Sequence, residues 1–306
     1  MLQLRQSLIN QYLFCPKSFQ LEHLQNCRPG YRSHAALNGS VVHELLHMVH
    51  NGRWNLEPAS MYDQIINQLE FEGPEKLIPV DWNNREVEVG KYRDMAAEII
   101  NHYRMKSYNR DARVILSEAP FTVKVGRVAF TGTVDQIREN TDGSLELLDF
   151  KTSQRVPPEA AMVSSYQLIL YSLAILYGTF QTAQGPVQFL QLPDHATWYH
   201  LRNHIPYKRK TTIGDRVFLK GDEKPGDPRH RISITPDMIA AFRKDVGKIA
   251  RAINEGIFPR TASTANCSLC KFSRACMRDK ESDALNNKQM NQLSELIHQI
   301  EKEKAA

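Results

Sequence analysis

Asp149 and Lys151 stand two residues apart in Leu147-Leu148-Asp149-Phe150-Lys151, and Asp135 closes Gly132-Thr133-Val134-Asp135 upstream. On a strand, residues two apart project from one face. Neighbouring strands lie about 4.8 Å apart, so carboxylates on two of them can share an ion. Oxygen donors of this kind suit Mg²⁺ or Mn²⁺ and the phosphate oxygens such ions bind. The ion would acidify a water and neutralise charge on a scissile phosphate. A lysine ammonium beside it would stabilise a pentavalent transition state. An isolated Asp-x-Lys is short and common, and taken alone an ordinary solvated ion pair explains it better. What raises it above that reading is the company it keeps.

His43-Glu44-Leu45-Leu46-His47 reads as H-E-x-x-H. Two histidines one helical turn apart can bind zinc with Glu44 as general base, so a zinc metallopeptidase is an alternative reading. It lacks the third ligand in a matching context and leaves Asp135, Asp149 and Lys151 unused. Gln167 and Tyr171 are four apart, one turn of a helix, and share a face. Cys267, Cys270 and Cys276 form C-x₂-C-x₅-C, and Cys15 lies near the other end of the chain. Four thiolates can hold an iron–sulfur cluster or a zinc ion, and their number fits both. Cys27 is the spare, which makes five cysteines in all. An odd number, in a chain read as cytoplasmic, argues against a disulfide framework.

The elements that must position these groups follow from periodicity. Apolar residues recur at helical spacing through residues 37–50, 61–71 and 87–103. The period then changes to that of strands over 113–125, 127–138 and 145–151, with turns at Gly126 and at Thr141-Asp142-Gly143, giving an antiparallel meander. A helix is expected over 159–177, ended by Gly178, then strands at 187–192 and 197–201. Residues 203–230 are polar and contain Lys208-Arg209-Lys210, which reads as an exposed loop or hairpin. A helix follows over 235–254, and a charged tail from residue 280 reads as helical and loosely held.

In this order, Gly39-Ser40-Val41-Val42-His43, Gly132-Thr133-Val134-Asp135, Asp149-Phe150-Lys151 and Gln167-Leu168-Ile169-Leu170-Tyr171 resemble the motifs of the RecB-like branch of the PD-(D/E)xK nuclease superfamily. The resemblance runs from about Tyr12 to Cys276. It implies an α/β restriction-endonuclease-like core: a mixed central sheet flanked by helices, a helical N-terminal region and a C-terminal iron–sulfur region. It implies that His43, Asp135 and Asp149 ligate Mg²⁺ or Mn²⁺, with the Phe150 carbonyl as a further ligand. Lys151 acts in catalysis, and Gln167 and Tyr171 face the active site. Glu118, where relatives often carry an acid, has at most a supporting place. The cysteines resemble the 4Fe-4S staple of AddB-type and CRISPR-associated RecB-like nucleases, with Cys15, Cys267, Cys270 and Cys276 as ligands.

The implied activity is hydrolysis of DNA phosphodiesters, as an exonuclease on single-stranded or frayed ends, in recombination, repair or CRISPR adaptation. A non-catalytic DNA-binding subunit with the same fold is a second alternative. The partners implied are DNA and a helicase or recombination or CRISPR protein, since no G-x-x-x-x-G-K-[ST] motor motif occurs. Polarity and oligomeric state stay open.

Composition agrees with this and proves none of it. The chain has 306 residues, 42% hydrophobic and 24% charged, with a formal net charge of +5. A mild basic excess suits a polyanion. No apolar run approaches the roughly 20 residues that span a bilayer, and the N-terminus lacks a secretory signal. The expected organisation is a helical region at 1–110, a nuclease core at 111–202, a basic insertion at 203–232, a helix and cysteine region at 233–280, and a tail at 281–306.

Overall fold

The computed structural model describes residues 2–153, 156, 158–261, 263, 267–268, 270–278 and 288–296. Its centre is a mixed sheet. Strands β1 (Leu2–Leu4), β2 (Arg113–Val125), β3 (Val128–Glu139), β4 (Leu145–Lys151), β5 (Thr179–Thr182), β6 (Gly185–Val187), β7 (His195–His200) and β10 (Arg229–Ile232) contribute. Their order is β10-β7-β4-β3-β2-β5-β6, with β1 parallel to β3. The expected meander of β2, β3 and β4 is antiparallel, whereas β4 and β7 run parallel, Lys151 facing His200. A small hairpin, β8 (Thr211–Ile213) and β9 (Arg216–Phe218), forms a separate sheet.

β4 is buried nearly throughout, as a strand covered on both faces must be. Leu147 enters a core shared with α8 (Tyr166–Tyr177) and α9 (Pro236–Asn254). Leu148 and Phe150 enter a second core with α3 (His34–His50), α4 (Pro58–Asn67) and α5 (Arg85–Met105). The mixed sheet flanked by helices is the fold class the sequence implies. Glu146, wholly buried on β4, ties four strands together. It accepts from Arg138 Nε and Nη2 on β3 (3.0 and 2.7 Å), Thr197 Oγ1 on β7 (2.7 Å) and Arg231 on β10 (2.7 and 3.1 Å). Burial would raise its pKa, but the Arg231 and Arg138 guanidiniums and the Thr197 hydroxyl hold it at about 2.

Several boundaries differ from expectation. The helix expected over 159–177 is two, α7 (Glu159–Val163) and α8, because the Ser165 hydroxyl caps α8 by accepting from the Leu168 N–H. Residues 188–192 form no strand; pairing ends at Val187, and β5 was missed because its four residues are too short for a periodic signal. Arg229–Ile232, expected within an exposed insertion, pairs with β7 in the main sheet. Residues 61–71 leave α-helical geometry at Gln68, where a π-helical turn begins. Of the tail, residues 288–296 are helical and Leu293 is buried in the core; the rest of it lies outside the described residues.

Gly132 is required by packing. A Cβ there would sit 2.8 Å from Phe121 Cζ, its partner across the β2–β3 ladder. Gly39 brings α3 against the end of β4, where a Cβ would lie 3.4 Å from Thr152 Oγ1.

Candidate active site

The β3–β4 ladder ends at Gln136↔Leu148, so Asp135 and Asp149 are the next residues out. There Asp135 Oδ2 accepts the Phe150 N–H at 2.6 Å, turning that carboxylate across the strand end. Its Oδ1 lies 3.4 Å from His43 Nδ1. His43 comes from the middle of α3, and its Nε2 is 3.1 Å from the Phe150 carbonyl oxygen. The sequence motifs on α3, β3 and β4 therefore meet at one point.

A fourth residue joins them. Glu118 Oε1 lies 3.3 Å from His43 Nδ1. Its backbone, at φ 48°, is left-handed inside β2, between Ser117↔Gln136 and Ala119↔Val134. A non-glycine residue holds that conformation at a cost of order 1–3 kcal/mol, and such strain gathers where a side chain must be aimed. Among the described residues, His43, Glu118 and Asp135 are the group whose ligand atoms lie within 4.8 Å of one another. From the motifs alone Glu118 has only a supporting place. The available signal was an acid in the middle of a strand otherwise rich in apolar residues. His43, Glu118, Gly39, Ser40 and Glu44 line an open cleft of about 600 Å³.

Asp149 stands apart from that trio. It is 2% exposed, and its Oδ2 is paired with the Lys151 ammonium. Burial pushes its carboxyl up to about 6 despite the Lys151 ammonium, and the Asp135 charge adds to the rise. Burial would lower the His43 imidazole, but the Asp135 and Glu118 carboxylates outweigh it and hold it well above its usual range. Three carboxylates thus crowd around one imidazolium and one ammonium. The donors fit Mg²⁺ or Mn²⁺: hard carboxylate oxygens, a carbonyl and an imidazole.

Lys151 is held from α8. Its Nζ donates to Gln167 Oε1 at 3.0 Å, and Gln167 Nε2 donates to the Tyr171 hydroxyl at 3.2 Å. The ammonium also lies 5.6 Å from the Trp198 ring centroid. Trp198 Nε1 and both His200 ring nitrogens are buried without hydrogen-bond partners among the described residues, one strand away from Lys151. Burial, with the charges of His230 and Lys151, lowers His200 to about 4, so it is neutral at pH 7. Sequence reading missed both residues, because only the parallel pairing of β4 and β7 brings them here.

His47 faces elsewhere: its ring lies against the Ser117 hydroxyl (3.1 Å) and Asn51 (2.9 Å). His43 and His47 are not brought together with a third ligand among the described residues.

The chain ends meet far from the carboxylates in sequence. Cys15, Cys267, Cys270 and Cys276 all line one cavity of about 220 Å³, with Phe14, Leu21 and Arg260. Burial raises the Cys270 and Cys276 thiols, and the charge of Cys15 acts on both. Hydrogen bonds hold the two segments together: Lys17 N–H donates to the Pro259 carbonyl (3.2 Å), the Thr261 hydroxyl to that of Phe14 (2.8 Å) and the Tyr12 hydroxyl to that of Ile257 (2.6 Å). Cys27 is not among the lining residues.

Among the described residues, no helix is long and apolar enough to cross a membrane. The chain matches the model of the PD-(D/E)XK nuclease superfamily over residues 3–277. No curated protein matches it. A solved structure described as "Crystal structure of SSO0001" is similar at 13% identity over 88% of this chain and 94% of that one, with a TM-score of 0.28.

Proposed function

The chain belongs to the PD-(D/E)XK nuclease superfamily, and from that premise we propose a divalent-metal-dependent DNA nuclease of the RecB-like branch, acting as an exonuclease on single-stranded or frayed ends. The observation that carries this reading is the convergence of His43, Glu118 and Asp135 beside the Phe150 carbonyl.

His43, Asp135 and Glu118 would hold the cation, with the Phe150 carbonyl and Asp149 completing the set. A bound Mg²⁺ or Mn²⁺ supplies Lewis acidity toward a phosphoryl oxygen and lowers the pKa of a coordinated water. The chain's own residues do the rest. Asp135 is fixed by the Phe150 N–H, so its free oxygen keeps a set direction. Gln167, itself bonded to Tyr171, aims the Lys151 ammonium along the strand end. There the positive charge meets the negative charge that develops on a phosphoryl group. Asp149, paired to Lys151, holds that lysine close.

A 4Fe-4S cluster on Cys15, Cys267, Cys270 and Cys276 would staple the N-terminal segment to the region after α9; what favours it is that the four line one cavity, although among the described residues their sulfurs are not a group within 4.8 Å of one another. Its thiolates lie apart from the carboxylates, so its role is to hold the fold together. Zinc is the competing occupant, since four thiolates suit either. DNA is the substrate, and a helicase or a recombination or CRISPR protein is the partner that would supply ends.

The test is cleavage of end-labelled single-stranded DNA by anaerobically purified protein with Mg²⁺ or Mn²⁺. Metal-dependent shortening from one end, lost in Asp135→Ala, supports the reading. DNA binding without cleavage in either metal would leave a non-catalytic DNA-binding protein. A broad visible absorption that bleaches on reduction identifies the cluster; its absence with one zinc per chain would replace it.

A further inference from the structure

Between β7 and β10 the chain leaves the body of the protein as the β8–β9 hairpin, turning at Gly214 with φ 56°. Its surface combines two features. Ile213, Val217 and Leu219 are 54, 54 and 58% exposed. Ile213 lies opposite Arg216 and Val217 opposite Thr212, so each face of the hairpin carries an exposed aliphatic side chain. Around them, residues 207–224 carry six cations, Lys208, Arg209, Lys210, Arg216, Lys220 and Lys224, against three acids, Asp215, Asp222 and Glu223. A local cationic excess suits a phosphate backbone, and it disfavours a purely apolar partner surface.

The hairpin is braced at its base and exposed at its tip. The Tyr207 and Phe218 rings stack at 4.8 Å. Tyr207 N–H donates to the Asp222 carbonyl (3.0 Å), and Gly221 N–H donates to that of Tyr207 (2.8 Å). Lys208 pairs with Glu98 of α5 at 2.8 Å, and Lys106 with Glu223 at 3.3 Å. Lys224 Nζ donates to the Arg202 carbonyl (2.7 Å). The placement also matters. β7 is parallel to β4 with Lys151 facing His200, so the chain leaves β7 at the sheet edge where Lys151 stands. One 3₁₀ turn, Leu201–His204, separates that edge from the approach to the hairpin.

We propose that the β8–β9 hairpin is a strand-separating wedge: Ile213, Val217 and Leu219 enter the end of a DNA duplex while the flanking cations hold its phosphates. Aliphatic wedges of this chemistry unstack base steps in DNA-bending proteins, at a cost in lost stacking. The phosphate contacts of the lysines and arginines offset that cost. The opened strand then lies at the edge that carries Lys151. This rests on the nuclease reading, and it would explain how a site for single strands meets duplex ends.

The test uses the full chain and two variants: Ile213→Ser/Val217→Ser/Leu219→Ser, and Arg209→Glu/Lys210→Glu/Arg216→Glu. A blunt duplex with 2-aminopurine in its terminal pair is bound in Ca²⁺, and fluorescence reports unpairing with no need for cleavage. Wild type should raise the fluorescence; the serine variant should bind the duplex but leave the signal flat. In Mn²⁺, the serine variant should cut blunt duplex about tenfold more slowly, equivalent to about 1.4 kcal/mol, yet cut single strands and pre-forked duplex at the wild-type rate. The glutamate variant should bind every DNA more weakly, with the salt dependence of binding reduced by about one unit of slope per lost phosphate contact.

Unchanged fluorescence and blunt-end cleavage in the serine variant would overturn the wedge. Equal loss on blunt and forked ends would also overturn it, pointing to a general track or a protein-docking surface. If wild type cuts no DNA at all, the nuclease reading fails, and the fluorescence arm still decides the hairpin.

Discussion

His43 Nδ1 lies 3.3 Å from Glu118 Oε1, although one residue sits on helix α3 and the other on strand β2. Glu118 lies between Ser117↔Gln136 and Ala119↔Val134, in register opposite Asp135, and its backbone is left-handed at φ 48°. The contact makes Glu118 part of the group that would hold a cation, alongside Asp135.

Replacing Glu118 separates strain from function. Both Glu118→Ala and Glu118→Gly should weaken Mn²⁺ binding and cleavage, by about 10–100-fold on the scale of lost metal-site partners. The glycine variant should be more stable than the alanine variant by about 1 kcal/mol, because only glycine adopts positive φ freely. Urea unfolding of the metal-free proteins measures the difference; equal stability would show that the left-handed backbone costs nothing.

Lys151 and Gln167 should separate metal binding from turnover. Lys151→Met should bind Mn²⁺ at near wild-type affinity and lose about 10²–10³-fold in kcat, the scale of removing one transition-state charge partner. Gln167→Ala leaves the ammonium but releases its 3.0 Å anchor, so a smaller fall in kcat is expected. Titration of Mn²⁺ by calorimetry beside single-turnover kinetics checks both. A Gln167→Ala enzyme as impaired as Lys151→Met would mean that Gln167 does more than aim the lysine.

Stability should fall on mild acidification. Burial lowers His50, His200 and His204 to about 4 each, whereas in the unfolded chain histidine titrates near 6.5. Between those values the unfolded state binds protons that the folded state refuses. Stability is therefore lost as pH falls through this window, by up to about 1.4 kcal/mol per pH unit per histidine. His43, held high by its carboxylates, and Asp149, raised to about 6 by burial, work in the opposite sense but are two groups against three. Glu146, held at about 2, contributes above its unfolded value near 4.3 and is lost only in strong acid. Denaturant midpoints at pH 7.5, 6 and 5 test this; a flat profile would show that the three histidines are not held neutral.

Gly132→Ala should cost about 1–3 kcal/mol, the usual penalty for an extra methyl in a packed site. Its Cβ would meet the Phe121 ring at 2.8 Å. Phe121→Leu, which opens that space, should recover part of the loss. Circular dichroism melts of the single and double variants measure the coupling, and strict additivity would argue against the contact.

What the sequence made legible was local. Asp149 and Lys151 share a strand, Gln167 and Tyr171 share a helix turn, and β2, β3 and β4 are joined by short turns, so spacing alone groups each set. The structure does bring His43, Asp135, Asp149, Lys151, Gln167 and Tyr171 to one region. What stayed hidden depends on contacts remote in sequence or on one backbone angle. Glu118 is aimed by its φ. Trp198 and His200 reach Lys151 through a parallel pairing with β4 that no periodicity reveals. The break at Ser165 turns on one hydroxyl cap within a stretch otherwise helical on both sides.

The claim on which the account stands is that one cation is shared by a helix imidazole and strand carboxylates. Pulsed electron paramagnetic resonance of Mn²⁺ bound to the protein tests it directly. The account predicts nitrogen modulation from a single coordinated imidazole, lost in His43→Gln, and loss of the bound-Mn²⁺ signal in Glu118→Gln/Asp135→Asn. Mn²⁺ bound without nitrogen coupling, or bound equally well after both substitutions, would contradict it.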